Sequence, residues 1–169
     1  DSRDAVYYPE GFSVQKLLEV KQKTGSVVNY GAGRRVPNEE LFLLPVDILI
    51  PAALPDVINK ANVDGIGAKI VVEAANIPMT PEMEEMLHKR GILVVPDFVA
   101  NAGGVISSYA EYRGYNPKQM FSIVERKIRQ NVKIVLDRAK EGVKPRDAGL
   151  EVAQERVRKA MREAEKRSR

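Results

Sequence analysis

The chain has 169 residues, of which 44% are hydrophobic and 30% charged, and its 27 basic and 23 acidic residues give a net charge of +4. This length corresponds to about one domain, and the composition is typical of a globular protein, with no apolar run near the roughly 18 residues that span a membrane. Because basic and acidic residues are mixed along the chain, we expect neither a nucleic acid nor a membrane as a partner.

The sequence contains no cysteine. It therefore forms neither a disulfide nor a thiolate metal site, and we expect a cytoplasmic protein with no bound metal. The first residue is Asp1 rather than Met, and no charged-then-apolar leader precedes the first turn signals. We expect no signal peptide and a chain that is one piece of a longer protein.

The first predicted element is a helix that begins after Ser13 and ends at Gly25. Serine is a favoured N-cap, and glycine is the usual residue just beyond a helix end. The apolar spacing predicts that Val14, Leu17 and Leu18 face inward.

Residues 26–36 carry turn and short-strand signals, and they include Gly31-Ala32-Gly33. This tripeptide resembles the start of a dinucleotide-binding loop, but Val36 stands where a third glycine belongs and no strong strand comes before it. We interpret it as a turn. Asn38, which two glutamates follow, predicts a short helix.

Three apolar runs follow, and they predict strands at 47–52, 69–74 and 92–96. Continuous apolar strands that alternate with helices are typical of a parallel sheet covered on both faces. We expect the three strands to be adjacent and parallel.

The clearest helix occupies 80–90, with Thr80 as its cap and Gly91 as its stop. Pro81 suits the first helical position. His88, the only histidine, lies near the carboxyl end of this helix, where interaction with the helix dipole is favoured over a catalytic role.

After Pro96 the sequence predicts only helices, at about 101–113, 117–141 and from Arg146 onward. The last helix is amphipathic, and we interpret its apolar side as a docking face. That face consists of Leu150, Ala153, Val157, Met161 and Ala164.

Ligands of open parallel sheets bind at the carboxyl ends of the strands, so the residues after each run are candidates. Asn76 and Asn101 follow the second and third runs. Gly103 and Gly104 each cost about 1 kcal/mol in a helix, and close approach of the backbone to a ligand would account for them. Close packing is the alternative for the glycines, and turn formation is the alternative for the asparagines.

Asn101, Val105, Ser108 and Tyr112 follow one another at helical steps of four, three and four residues. Such spacing stacks side chains on one face of a helix. We expect them to line one pocket near Asn76. The alternative for the serine is an ordinary hydroxyl on the helix surface.

Three segments together resemble the glutamate dehydrogenases of the glutamate/leucine/phenylalanine/valine dehydrogenase family. They are "DILIPAAL" at 47–54, "EAANIPMTPE" at 73–82 and "VVPDFVANAGGV" at 94–105. The similarity extends more weakly over nearly the whole chain. It implies an α/β fold, namely a partial Rossmann-like parallel sheet with flanking helices and a C-terminal helical segment. We expect 1–113 to be a truncated dinucleotide-binding domain, with 114–169 as helices packing on the same domain.

The resemblance implies that NAD or NADP is the cofactor. Ala52 and Ala53 match small residues that lie along the bound dinucleotide. Asn76 matches a contact of the nicotinamide ribose, and Asn101 matches a residue near the nicotinamide amide and the substrate. Asp1 falls about where the acidic ribose-binding residue of the family lies.

Val105 and Ser108 match positions that line the amino-acid pocket, where the hydroxyl holds the side-chain carboxylate of the substrate. The implied reaction is the reversible oxidation of L-glutamate to 2-oxoglutarate and ammonia. A leucine, valine or phenylalanine dehydrogenase is the alternative, although an aliphatic pocket would disfavour Ser108 because an unpaired buried hydroxyl costs about 1–3 kcal/mol.

Several family features are missing from the sequence. We find neither the Gly-Gly-x-Lys segment and the Asp of the substrate domain nor the Gly-rich phosphate loop, so no catalytic residue is assigned. Asp1 is terminal and Asp4 stands where glycine is usual, which leaves the choice between NAD and NADP open. We expect a segment that is inactive alone, cut from a homo-oligomeric enzyme. A non-catalytic module that binds a full-length subunit is the alternative.

Overall fold

The computed structural model describes residues 1–140 and 142–167. Its N-terminal part contains strand β1 (Ala5–Tyr7), helix α1 (Val14–Thr24) and strand β2 (Arg34–Val36). The two strands pair antiparallel. This small ladder is separate from the parallel sheet that follows it in the chain.

The glycines before β2 form a turn, as predicted. Gly31 has a φ of 79° and Gly33 a φ of 85°. A Cβ at Gly33 would lie 2.6 Å from the carbonyl oxygen of Tyr7, so only glycine fits at this close approach. The segment leads into an antiparallel strand and not into a helix, unlike a phosphate-binding loop.

Helix α1 has the predicted ends but not the predicted orientation. The Ser13 hydroxyl accepts a hydrogen bond from the Lys16 N–H, and Gly25 ends the helix at a φ of 76°. Val14 and Leu18, however, are 68% and 55% exposed. The predicted inward orientation of these two residues is wrong, because α1 packs mainly on a short turn and not on the parallel sheet.

Three 3-10 helices connect the main elements. The helix predicted at Asn38 is one of them. Their short length is common for connectors between longer elements. Their bounds are Val27–Asn29, Asn38–Leu43 and Val63–Gly65.

The central sheet consists of strands β3 (Ile48–Leu49), β4 (Ile70–Val72) and β5 (Leu93–Val95). They pair in this order, and both pairs are parallel. The prediction of three adjacent parallel strands is confirmed, and each strand is shorter than predicted.

The helices of the remaining chain agree with the sequence in type and approximate position. They are α2 (Pro81–Lys89), α3 (Asp97–Ala100), α4 (Gly103–Tyr112), α5 (Pro117–Ala139) and α6 (Pro145–Arg167). The short α3 was not predicted, and the predicted end of α5 at residue 141 lies outside the described residues. No helix in the described ranges has both the length and the apolar content needed to cross a membrane.

The main hydrophobic core lies between α2 and the parallel sheet. Leu87 of α2 is 0% exposed, and burial of such a side chain contributes about 1.5–3 kcal/mol. The Arg90 guanidinium fastens the neighbouring loop, since its nitrogens donate to the carbonyls of Val63 at 2.7 Å and Ile66 at 2.5 Å. The buried members are Leu49, Ile58, Val63, Ile66, Ala68, Val71, Met79, Met83, Leu87, Ile92 and Val94.

A second, smaller core joins the C-terminal helices to the end of the sheet. Val99 of α3, Val135 of α5 and Ala148 of α6 are buried together. A Cβ at Gly149 would lie 2.9 Å from the ring of Phe98, so glycine allows α6 to approach α3 closely. The division of the chain into segments at residues 113 and 114 stays a prediction.

Part of the apolar face predicted on α6 is exposed. Leu150, Val157 and Met161 are exposed, whereas Ala148 and Val152 are buried. The buried residues Pro145, Ala148, Gly149 and Val152 lie in the first two turns of α6, on a different side of the helix from the predicted docking face.

Candidate functional site

The loops at the carboxyl edge of the sheet are joined by backbone hydrogen bonds. The amides of Ala74 and Ala75 donate to the carbonyl of Pro51 at 3.0 and 2.8 Å, which links the loops after β3 and β4. The amide of Glu73 donates to the carbonyl of Val95 at 3.1 Å, which links the loop after β4 to the end of β5. The three loops therefore form one continuous edge, where open parallel sheets bind ligands.

Asn76 and Asn101 meet at this edge. The Asn101 side-chain Nδ2 donates to the Asn76 Oδ1 at 2.6 Å and approaches the Ala74 carbonyl at 3.4 Å. Within the described residues, the Asn76 Nδ2 and the Asn101 Oδ1 have no hydrogen-bond partner. The pair therefore presents one donor and one acceptor, which suits a carboxamide or a ribose hydroxyl.

The two glycines after Asn101 have different surroundings. A Cβ at Gly103 would lie 3.3 Å from Val124 of α5, so close packing accounts for this glycine. A Cβ at Gly104 would meet nothing within 4 Å. Packing within the described residues does not account for Gly104, and close approach of a ligand at this glycine stays a prediction.

Small exposed residues and unusual backbone surround the asparagine pair. Ala52 and Ala53 are exposed directly after β3. Asp56 and Ile77 have φ values of 53° and 49°, and the Asp56 amide donates to the Ile77 carbonyl at 3.0 Å. Non-glycine residues with positive φ are strained and cluster at functional sites, which supports a binding role for this edge.

Val105 and Ser108 lie on solvent-exposed surface of α4. Val105 is 78% exposed, and the Ser108 hydroxyl donates to the Gly104 carbonyl at 3.2 Å. Tyr112, one turn further, is 86% exposed. The structure brings Asn76 and Asn101 into contact, and it leaves these three side chains on an open face and not in an enclosed pocket. The substrate-binding role of Val105 and Ser108 stays a prediction.

The Asp1 carboxylate is engaged within the fold. It accepts hydrogen bonds from the Val27 amide at 2.8 Å, the Ser26 hydroxyl at 3.3 Å and the Arg3 amide at 3.1 Å. A ribose hydroxyl would have to share or displace these donors. A cofactor-binding role of Asp1 stays a prediction.

Behind the edge lies a buried ionic cluster that we did not predict from the sequence. Arg146 of α6 donates to Glu73 at 2.7 Å, to Asp97 at 3.4 Å and to Glu84 of α2. Glu73 is 0% exposed, and Glu84 and Asp97 are also buried. Buried charges require such pairing, because each one loses its hydration.

Burial raises the pKa of Glu73 to about 7 from its ordinary value of 4.5. The hydrogen bond from the Asp97 amide and the charge of Arg146 oppose this rise, whereas the charges of Glu84 and Asp97 add to it. One Glu73 oxygen, Oε1, is buried without a hydrogen-bond partner in the described residues. Burying an oxygen without a hydrogen bond costs more free energy on a charged carboxylate than on a neutral acid. The unpaired Oε1 therefore favours the protonated form, in agreement with the raised pKa.

A weak signal for this cluster was present in the sequence. Glu73 directly follows an apolar strand, and Asp97 follows another strand after one proline. A charge at the end of a buried strand requires a partner. Nothing in the local sequence identified that partner as Arg146, which lies 73 residues beyond Glu73.

Comparison with known proteins places the sequence in one family. Residues 1–164 match the sequence model of the glutamate/leucine/phenylalanine/valine dehydrogenases. A glutamate dehydrogenase of Aeropyrum pernix is 42% identical over 173 residues, which cover 96% of this chain and 41% of that protein. A glutamate dehydrogenase of Thermotoga maritima is 56% identical over 112 residues, which cover 66% of this chain and 27% of that protein.

Solved structures agree with the sequence comparison. A hetero-hexameric glutamate dehydrogenase of Thermus thermophilus superposes with a TM-score of 0.76 at 31% identity, covering 92% of this chain and 38% of that one. An L-tryptophan dehydrogenase of Nostoc punctiforme gives a TM-score of 0.72 at 35% identity, covering 86% of this chain and 42% of that one.

The chain thus spans less than half the length of these relatives. The resemblance that the three motifs indicated is confirmed, and so is the α/β fold with its parallel sheet and flanking helices. The chain belongs to the glutamate/leucine/phenylalanine/valine dehydrogenase family.

Proposed function

We propose that the chain is the cofactor-side segment of an NAD- or NADP-dependent amino-acid dehydrogenase. The observation that carries this proposal is the contact between Asn76 and Asn101. Among the residues that the structure describes, it leaves one donor and one acceptor of the pair free at the carboxyl edge of a parallel sheet. Relatives named NADP-specific glutamate dehydrogenase, such as that of Saccharolobus shibatae at 46% identity, support the cofactor class.

The residues present fit the nicotinamide end of a dinucleotide. Ala52, Ala53 and Gly104 are exposed and small, so backbone can lie against a flat ligand. Asn76 would hold the ribose, and Asn101 would orient the carboxamide. When bound, the cofactor supplies the hydride acceptor, while these residues orient its ring toward the substrate carbon.

The proposed substrate of the complete enzyme is L-glutamate. Its oxidation with NAD(P) and water yields 2-oxoglutarate, ammonia and NAD(P)H. The names of the relatives from Aeropyrum pernix and Thermotoga maritima support glutamate. Ser108 supports it as well, since a hydroxyl suits the side-chain carboxylate. The tryptophan dehydrogenase among the structural neighbours keeps an apolar amino acid as the alternative substrate.

We infer that the 169 residues alone neither oxidise glutamate nor hold a dinucleotide tightly. Pyrophosphate is normally held by a Gly-rich loop at a helix N-terminus, and the turn at Gly31 and Gly33 leads into a strand. Loss of two or three charge-assisted hydrogen bonds, at about 1.5–3 kcal/mol each, would weaken a micromolar site to millimolar or beyond.

The assembly of the complete enzyme is proposed to be a homo-oligomer. One structural neighbour is named a hetero-hexamer, which supports a multi-subunit assembly. For the chain alone, a non-catalytic module that joins a full-length subunit is the second candidate. The exposed Ile48 of the outer strand β3 and the exposed Ile50 just after it favour this association. Light scattering after size-exclusion chromatography would distinguish a monomer from an assembly.

Two assays on the purified chain test the proposed function. Isothermal titration with NAD and with NADP should show millimolar or weaker binding, and glutamate should give no rise in NAD(P)H absorbance. Micromolar binding or measurable turnover would contradict the assignment of this chain as an incomplete segment.

A further inference from the structure

Arg146 binds carboxylates from three different elements. Its Nη2 donates to the Glu73 Oε2 at 2.7 Å, and its Nη1 approaches the Asp97 Oδ1 at 3.4 Å. Its Nε donates to Glu84 of α2. Glu73 begins the loop after β4, and Asp97 begins the segment after β5. One guanidinium therefore bridges the two loops that form the candidate binding edge.

The two carboxylates also hold the backbone of these loops. The Asp97 amide donates to the Glu73 Oε2 at 2.8 Å, so Glu73 already reaches across to the neighbouring loop. The Asp97 Oδ2 accepts from the amide of Ile77 at 3.0 Å. Ile77 has a φ of 49°, and this bond stabilises its unusual conformation. The Arg146 cluster thus restrains both loops directly.

Asn76 and Asn101 lie next to residues that the Arg146 cluster restrains. Asn76 immediately precedes Ile77, and the Asn101 amide donates to the Asp97 carbonyl at 2.8 Å. We propose that Arg146 is a positioning residue for the Asn76 and Asn101 pair, because it binds Glu73 and Asp97 and thereby sets the spacing of the loops that carry the two asparagines. The consequence for cofactor binding rests on the proposed function, whereas the consequence for the asparagine contact does not.

Arginine is specifically suited to this position. Its planar guanidinium presents several donors in a fixed fork, so it can bind three carboxylates at once, whereas a lysine ammonium is a single point charge. The guanidinium also lies 5.6 Å from the centroid of the Phe98 ring, within the range of a cation–π contact. A lysine would retain the charge but lose the fork, so it could not bridge Glu73, Asp97 and Glu84 at once.

The expected effect of Arg146→Lys is local. We expect a folded chain in which the Asn101 side-chain NH₂ resonances in a ¹⁵N correlation spectrum move toward those of solvated asparagine, because the bond to Asn76 is weakened. Arg138→Met is the matched control. Arg138 also bridges two carboxylates, those of Glu151 and Glu155, but it joins α5 to α6 on the exposed surface. The control should leave the Asn101 resonances unchanged.

Asp97→Asn is the second variant, and it decides the question if Arg146→Lys does not fold. It keeps Arg146 bound to Glu73 and Glu84 while it removes the charge that ties the loop after β5. The same movement of the Asn101 resonances is expected. A purely structural role of the cluster would lower the melting temperature without moving these resonances in the folded chain. Asn101 resonances that match the Arg138→Met control in every folded variant would overturn the proposal.

Titration of the chain with NAD and NADP adds the functional readout. If the wild-type chain binds the cofactor weakly, Arg146→Lys should weaken that binding about tenfold, since small misplacements of orienting groups carry costs of this size. Unchanged binding in this variant would overturn the positioning role. If the wild-type chain binds neither dinucleotide at any concentration, the proposed function fails, while the Asn101 resonances still decide the role of Arg146.

Discussion

Helices α1 and α2 both carry apolar residues at helical spacing, yet only one of them buries these residues. Met83 and Leu87 of α2 are buried against the parallel sheet, whereas Val14 and Leu18 of α1 are exposed. An amphipathic pattern defines a face, and a neighbouring element determines whether that face is covered. The candidate binding edge belongs to the packed region, where the sheet, α2 and the start of α6 restrain its loops.

The largest expected difference between the two regions is in stability. Leu87→Ala should lower the free energy of unfolding by about 2–5 kcal/mol, because it removes a fully buried side chain and leaves a cavity. Leu18→Ala, its control on α1, should change this energy by less than about 0.5 kcal/mol. Denaturant unfolding measures both variants. Equal losses would show that α1 is covered in solution.

The buried cluster behind the edge should make stability depend on pH. The pKa of Glu73 is raised from 4.5 to about 7, so the unfolded chain releases this proton at lower pH than the folded chain. Protonated Glu73 therefore stabilises the folded chain. Its contribution to the free energy of unfolding, about 3 kcal/mol in total, is fully present below pH 4.5 and is lost as the pH rises through about 7.

Glu73→Gln isolates this contribution, because glutamine does not titrate. The stability of the wild-type chain relative to the variant should fall between about pH 4.5 and pH 7, as measured by denaturant unfolding at several pH values. A relative stability that is constant across this window, or one that rises, would show that Glu73 stays ionised in the folded chain.

A kinetic prediction concerns the exposed face of α4. In a complete enzyme that contains this segment, Ser108→Val should lower kcat/KM for glutamate by about 10- to 150-fold, because one hydrogen bond to a charged carboxylate contributes about 1.5–3 kcal/mol. Steady-state kinetics with glutamate check this value. Unchanged kinetics would mean that the hydroxyl serves only the bond to Gly104 that it makes in this chain.

The smallest expected effect is a loss of stability at the start of α5, the helix that packs against α4. The Asn116 side chain accepts from the Gln119 amide at 3.0 Å, and the Gln119 side chain accepts from the Asn116 amide at 3.1 Å. Asn116→Ala removes this capping box and should cost about 1 kcal/mol. Lys118→Ala, in the same turn but outside the cap, is the control. Thermal melts of equal midpoint for the two variants would argue against the cap.

Local signals predicted the elements whose cause is local. Ser13 and Gly25 mark the ends of α1, and the apolar runs mark the three parallel strands, because caps and strand burial depend on nearby residues. The faces of α1 and α6 were predicted less well. The buried residues of α6 are Pro145, Ala148, Gly149 and Val152, because contact with a neighbouring element and not periodicity selects the buried side.

In the candidate site, too, features with a local cause were predicted and features set by distant packing were not. Asn76 and Asn101 were predicted because the carboxyl ends of parallel strands come together in every such sheet. The Arg146 cluster was not predicted, because its partners lie 49, 62 and 73 residues away in the chain and only the packing of α6 brings them together.

We propose above that the Asn76 and Asn101 edge binds the nicotinamide end of a dinucleotide. The most direct measurement is a ¹⁵N NMR titration of the purified chain with NAD and NADP, compared with Asn101→Ala and, as a control, with Asn131→Ala. Asn131 accepts a hydrogen bond from Arg156 in the C-terminal helices, away from the edge. We predict millimolar binding that shifts the resonances of residues 74–77 and 97–104, that is lost in Asn101→Ala and that persists in Asn131→Ala. Shifts confined to other surfaces, or equal binding by both variants, would contradict the claim.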